Sequence, residues 1–284
     1  HNALGRPADD VHLTFRASPY GSFSHSHADQ LGFILNAYGE GLAINSAYRE
    51  YHNSPHHEQW TRQSRSKNVL LIDGVGQLAK SKLATGRITR FETTPRTVWT
   101  TGDGTAAYRA AQKDKARVQR VTRDLVCVDQ RYFVLRDRVV LSSPGILSWL
   151  LHAEKHLAWD AAHATATIHG AEGKATLTAQ LLAPAVTWRG TVTNEFPVPV
   201  DSKYTTGAVS SPYVTGTWHN HAHLTAESTA PAADFTVYAV LWPERGASPA
   251  APRIALATDG RLTIARPDSR TDVVVLTDHT LRVE

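Results

Sequence analysis

The sequence predicts an all-β protein, a large antiparallel β-sandwich or a pair of them. Three observations point there. Short β-branched or alternating runs recur along the chain, turn residues separate them, and no segment carries an extended apolar stripe at helical spacing. The runs Phe33–Tyr38, Val69–Asp73, Arg131–Leu141, Thr165–His169, Lys174–Leu182, Phe235–Trp242, Ile254–Ala257 and Val273–Thr277 read as strands. Between them stand turn signals such as Gly39-Glu40-Gly41, Asp73-Gly74, Pro144-Gly145 and Asp259-Gly260. Asp73-Gly74 has the chemistry of a two-residue hairpin turn. Ala158–Ala166 is rich in alanine but lacks the apolar i, i+3, i+4, i+7 repeat of a helix. Many short strands at this spacing argue for stacked antiparallel sheets.

Three stretches follow along the chain. Residues 1–183 are expected to form the main sandwich. Residues 184–217, rich in Pro, Thr, Ser and Gly, read as a loop-rich region. Residues 218–284 supply the remaining strands, as a smaller second sheet layer.

With 284 residues, 42% of them apolar and 20% charged, the chain is long enough to bury a large core and is not of disordered composition. The net charge of +4 is compatible with an acidic ligand. The single cysteine, Cys127, excludes an internal disulfide and reads as a small buried hydrophobe, leaving both bacterial periplasm and cytoplasm open. No apolar run reaches the roughly 20 residues that span a bilayer, and no signal peptide stands at the start. Neither a membrane nor a nucleic acid is an expected partner. The start at His1, without an initiator methionine, reads as a processed or engineered piece of a longer chain. No phosphate loop, Walker motif, GxSxG or CxxC pair occurs, which sets aside the chemistry those motifs serve.

The informative segment is Ser18 to Gln77. His25-x-His27-x-Asp29 places three functional side chains on one face if extended. Such a face can hold a metal, orient an imidazole or grip an anion; it is equally the composition of a polar strand edge. Arg49, Arg62, Lys67 and Asn68 add donors, and arginine can grip a carboxylate with two parallel hydrogen bonds. Between Gln59 and Phe91, seven basic residues against the lone acid Asp73 suggest an anion-facing patch or a solvated basic face. Trp60 with Tyr48 or Tyr51 would stack on sugar rings or fill the core, the core reading suiting Tyr51 better than Trp60. His219, His221 and His223 lie on one strand face, as a metal site or as a structural ladder; their distance in sequence from the motif segment favours the ladder.

Taken together, His25–Asp29, Gly39–Tyr48 and Asn68–Gln77 resemble the motifs of the heparinase II/III-like polysaccharide lyases. Ser54-Pro55-His56-His57 with Trp60-Thr61-Arg62-Gln63 and Lys67-Asn68 is most similar to the oligoalginate lyase and exo-heparinase branch. The resemblance covers about residues 15–80 and is weaker beyond. It implies the C-terminal β region of a two-part enzyme whose N-terminal α/α toroid, absent from this chain, carries the acid/base tyrosine. The chain alone is then expected to be inactive. It implies a catalytic His25 facing the cleft, with Asp29, Gln30, Arg49, Trp60, Arg62, Lys67 and Asn68 binding an acidic oligosaccharide, alginate or heparin-like. No cofactor is required. The metal position that the resemblance implies is His27, which in related branches belongs to a structural zinc site, and His56 and His57 keep a metal possible. Here Asn45 and Lys67 stand where those branches have an aspartate and a histidine. Asparagine is a poor zinc ligand and protonated lysine none. The Lys67 ammonium would instead supply the missing positive charge, within ion-pair reach of Asp29 or beside His27.

Overall fold

Each strand run has a face to bury, and the computed structural model of the chain buries those faces in four antiparallel sheets. It describes residues 3, 5–48, 50–206, 218–247 and 250–284. The strands are β1 (Val11–Phe15), β2 (Phe33–Ala37), β3 (Glu40–Ala43), β4 (Leu70–Ile72), β5 (Arg87–Thr93), β6 (Thr97–Asp103), β7 (Val118–Val128), β8 (Tyr132–Gly145), β9 (Leu147–Ala153) and β10 (His156–Asp160). They continue with β11 (Thr165–His169), β12 (Ala175–Leu182), β13 (Trp188–Thr193), β14 (Ala222–Ser228), β15 (Ala232–Arg245), β16 (Arg253–Leu256), β17 (Leu262–Ala265), β18 (Thr271–Leu276) and β19 (Leu281–Val283). Among the described residues two short α-helices, α1 (Thr105–Ala111) and α2 (Ser202–Thr205), a π-helical turn at His57–Thr61 and a 3-10 turn at Ser64–Ser66 interrupt them.

An eight-stranded sheet in the order β10-β11-β12-β15-β8-β7-β6-β5 is the centre of the molecule. Its β7 and β8 are buried on both faces, because odd and even side chains meet different layers. Val121, Leu125 and Leu135 join one core with Leu70, Trp149 and Leu151 from the sheet β13-β14-β9-β4 and with Phe33 and Leu35 from β1-β2-β3. Val126, Val134 and Trp242 point the other way and meet Leu262, Ile264 and Val274 of the C-terminal sheet β16-β17-β18-β19. A charged seam fastens that C-terminal layer. Arg136 bridges Asp124 at 2.8 Å and Asp278 at 2.9 Å, and Arg266 bridges Asp129 and Asp272.

The all-β expectation and the turn at Asp73-Gly74 hold. Both turn residues have positive φ and Ile72 and Val75 exchange backbone hydrogen bonds, as a type I′ turn requires. The division of the chain does not follow the expected boundaries. β14 pairs with β9 and β15 sits between β12 and β8, so residues 222–245 belong to the main sandwich and only β16–β19 form a separate layer. The expected loop contains β13 and α2, while its residues 207–217 lie outside the described ones. Strand pairing between distant segments is set by which buried faces fit, and local composition does not record it. Cys127 is half-buried rather than fully so, and burial pushes its thiol up to about 11.

Candidate functional site

The motif segment is held against the central sheet by a buried ion pair. Arg123 of β7 and Asp137 of β8 join at 2.6 and 2.9 Å, both side chains essentially inaccessible. The remaining guanidinium nitrogen donates to the carbonyls of Leu31 (2.8 Å) and Asn68 (3.0 Å), one from each end of the segment. The motif residues then knit to each other. The Gln30 backbone N–H donates to Gln77 Oε1 at 2.8 Å, and Gln77 Nε2 returns a bond to the Gln30 carbonyl at 2.7 Å. Gln30 Nε2 also donates to Ser18 and Ala84. Asn68 Nδ2 donates to Phe33 and Ile44, and its Oδ1 accepts from the His152 N–H at 2.9 Å. These amides spend their hydrogen-bonding capacity inside the protein, since a buried polar group without a partner is costly.

On this frame His25 is exposed at a turn, and the Arg62 side chain, itself buried, donates to the neighbouring Ser24 carbonyl. Arg62 faces Glu58 at 3.7 Å, and Glu58 also pairs with Lys80. The imidazoles run in a chain, His25 to His52 (6.3 Å between centroids), His52 to His57 (5.7 Å) and His57 to His27 (6.2 Å). Tyr20, Phe23 and Tyr51, near these histidines in the chain, are exposed, at 81%, 51% and 48%. An apolar, imidazole-rich face of this kind marks a contact surface.

Several expected substrate contacts are placed elsewhere. Trp60 is buried, donates Nε1–H to the Ser46 carbonyl at 2.6 Å and packs against Phe196 and His223; Tyr51 is the exposed ring, the reverse of the sequence reading. Gln30 and Asn68 are structural knots, as above. Asp29 is taken by Arg16, and Arg49 lies outside the described residues. The basic stretch from Arg62 to Arg90 does not form one face, because Lys67 is buried, Arg62 and Lys80 serve Glu58, and Arg87 and Arg90 line a groove on β5. His52, Phe23 and Arg16 carry no local sequence signal. Exposure of an aromatic beside a turn depends on what the fold leaves uncovered.

Beneath the face lies a buried histidine cluster, and the late segment Trp218–His223 supplies part of it. Ser46 Oγ sits 3.2 Å from His221 Nδ1 and 2.7 Å from His223 Nε2, while His221 Nε2 is 3.1 Å from the Tyr48 hydroxyl. Tyr48, Trp218 and Tyr204 stack in sequence, at 4.6 and 4.7 Å. Burial first, then neighbouring histidines, pushes His221 down to about 3; burial pushes His223 down to about 4, and fully buried His152 stays well below its ordinary value. The unfolded chain binds protons on these groups below about 6.5 and the folded chain does not. Their stabilisation is therefore complete above pH 6.5 and lost as pH falls toward 4. Urea unfolding at pH 7.5 and 5 is expected to show a loss on the order of 2 kcal/mol per imidazole; equal stability at the two pH values would contradict neutral burial.

Burial, then Lys67, His57, Arg62 and Arg16, holds the His27 imidazole down to about 3. Those neighbours are cations or imidazoles, the Asp29 carboxylate is engaged, and among the described residues no three His, Cys, Asp or Glu side chains gather closely enough for a metal ion. A zinc ion does not fit this donor set. Lys67 is fully buried and forms no ion pair among the described residues; burial, then Arg16, brings its pKa down to about 7. The expected pairing with Asp29 is not made, and the ammonium acts on His27 instead. Charging this lysine costs stability as pH falls from about 10.5 to 7. Lys67→Met is expected to stabilise the chain by about 1–3 kcal/mol at pH 7, with the gain shrinking toward pH 10.5. A lower urea midpoint at pH 7 would refute the unpaired-charge account.

The fold is an antiparallel β-sandwich domain that carries an HxHxD segment, and comparison with known proteins makes the class specific. The family Heparinase II/III-like, C-terminal, matches residues 3–187, and the chain belongs to it. No protein of curated function matches the sequence. Among solved structures, the heparan sulfate lyase HepC from Pedobacter heparinus superposes with a TM-score of 0.68 at 18% identity over 95% of this chain and 40% of that one. The heparinase III BT4657 gene product superposes with a TM-score of 0.68 at 14% identity over 96% of this chain and 39% of that one. Another heparinase III superposes with a TM-score of 0.62 at 14% identity, over 89% and 36%. The chain thus spans about 40% of the length of these structures, and the likeness shows a shared fold.

Proposed function

We propose that the chain is the β region of a polysaccharide lyase that cleaves uronate-containing oligosaccharides by β-elimination, as an exo-type oligoalginate lyase completed by an N-terminal α/α toroid. The observation that carries the reading is the exposed His25, raised on a braced turn beside Arg62 at the head of the imidazole chain. In β-elimination a base removes the C5 proton of the uronate, the electron pair forms the C4=C5 double bond, and the C4–O4 bond breaks with a proton delivered to the departing oxygen. The carboxylate must be held and its developing enediolate charge stabilised, and preorganised donors at that point usually lower the barrier more than any other single effect. His25 donates to that carboxylate from the β side. The acid/base tyrosine comes from the toroid, so this chain alone turns nothing over.

Family membership supports the lyase class, and the Ser54–Gln63 segment, with Lys67-Asn68, favours alginate. Two heparinase III structures and HepC among the structural neighbours favour a second reading, a heparin or heparan sulfate exolyase. The test is the ultraviolet absorbance of unsaturated uronate formed by the full-length enzyme on oligoalginate and on heparan oligosaccharides. Product from oligoalginate alone supports the first reading, product from heparan alone the second. Silence on both, with binding retained, would leave a non-catalytic acidic-carbohydrate-binding sandwich.

A further inference from the structure

The face of the eight-stranded sheet opposite the motif segment is only partly covered. The C-terminal sheet packs on it through Val126, Val134 and Trp242. Beyond that dry contact the same face carries Thr101, Thr122, Asp124 and Arg136 in place of apolar residues, and they floor an open groove of about 960 Å³. One wall is α1 with Arg109, the other is Asp278 and His279 after β18, and Arg87 and Arg90 of the edge strand β5 stand at the rim. None of these residues belongs to the site described above.

The groove is cationic and preorganised. Six basic side chains (Arg87, Arg90, Arg109, Lys115, Arg120, Arg136) face three carboxylates, and Glu92 on β5 pairs with Arg90 at 3.1 Å, leaving two positive charges in excess. All three carboxylates already have partners. Asp124 accepts from Trp99, Thr101 and Arg136, Asp278 pairs with Arg120 and Arg136, and Asp103 with Arg87 and Thr105. The cations are mostly fixed in place. The Arg90 guanidinium lies 3.8 Å from the centre of the Trp99 ring, and Arg109 Nε donates to the Val118 carbonyl at 2.9 Å. Guanidinium groups held this way lose little freedom when they meet an anion, which is what converts charge into affinity. Lys115 is exposed and forms no ion pair among the described residues.

We propose that this groove is a second binding site for a linear acidic polysaccharide, separate from the His25 face. The volume is that of the larger ligand sites, about 300–1,000 Å³, enough for a short stretch of sugar rings. Five threonines (Thr85, Thr89, Thr101, Thr105, Thr122) stand among the cations; Thr89, Thr101 and Thr105 donate within the protein, and Thr85 and Thr122 offer hydroxyls to a chain that alternates hydroxyl groups with carboxylates or sulfates. Among the described residues no Phe, Tyr or Trp lines the groove, so they offer no stacking platform of the kind that single-stranded nucleic acid requires. The proposal rests on the reading that this protein handles acidic polysaccharides, though not on its cleaving them. The site would hold a long chain on the enzyme while its end is processed at the other face.

The test measures binding rather than cleavage. The full-length enzyme, in a His25→Ala background, is titrated with an alginate hexasaccharide, a heparin hexasaccharide and oligodeoxythymidine, and compared with the same enzyme carrying Arg87→Glu and Lys115→Glu. Both positions are exposed, and Arg87→Gln with Lys115→Gln serves if the charge reversal unfolds the protein. Dissociation constants for one or both oligosaccharides are expected to rise at least tenfold with the double reversal, and about threefold with the neutral pair. Preference for alginate identifies carboxylate as the recognised group, preference for heparin identifies sulfate. Unchanged oligosaccharide binding, or oligodeoxythymidine bound as tightly, would overturn the proposal. A full-length enzyme that releases no unsaturated product yet binds through these residues would defeat the lyase reading and leave the groove standing.

Discussion

In the proposed lyase, replacing His25 by alanine in the full-length protein is expected to lower turnover of a uronate oligosaccharide by about 10²–10³, the usual cost of one donor at a developing oxyanion. The substitution suits the test because His25 is exposed and its nearest ring, His52, lies 6.3 Å away, so little packing is lost. Thermal unfolding should be unchanged within about 0.5 kcal/mol, as for most surface substitutions. If the imidazole acts only on the transition state, kcat and kcat/KM fall together; a rise in KM alone would mark a binding contact. Unchanged turnover would remove His25 from the chemistry and reduce the motif to scaffolding.

Arg123→Ala is expected to destabilise the chain by about 3–5 kcal/mol, the cost of stranding one partner of a buried ion pair. Asp137 would be left buried and charged, and the carbonyls of Leu31 and Asn68 would lose their donor. Against a total stability of roughly 5–15 kcal/mol this is a large fraction. Asp137→Asn should cost less, because it keeps an acceptor for the guanidinium. The discriminating measurement is urea unfolding of the three proteins, combined with proteolysis at the Ser18–Gln77 segment. Since Arg123 is the clamp between that segment and β7, its loss should expose the segment before the sheets unfold. An Arg123→Ala protein as stable as the parent would show that the pair contributes nothing net.

Both predictions separate what was legible along the chain from what was not. The strand runs and the type I′ turn at Asp73-Gly74 could be read directly, because a period-two pattern and a positive-φ turn are local properties. The motif segment was also legible as a unit, since the Gln30–Gln77 exchange and the Asn68 knot join residues that the motifs already set together. Burial was not legible. Trp60 and Tyr51 are both aromatic residues in polar surroundings, and only the packing of Phe196 and His223 onto Trp60 decides which ring reaches solvent. Lys67 and Arg62 looked alike as cations; one is sealed in the interior and the other braces the turn that carries His25.

Strand period and turn chemistry were thus enough to establish an all-β domain, and the resemblance of the motif segment to establish its family, because each depends on residues close together in the chain. The placement of β14 and β15 inside the main sheets, the histidine cluster around Ser46 and the cationic groove beside β5 arise from contacts between residues often more than a hundred positions apart. Such contacts are chosen by the fit of whole buried faces, a property of the folded chain that no local stretch contains.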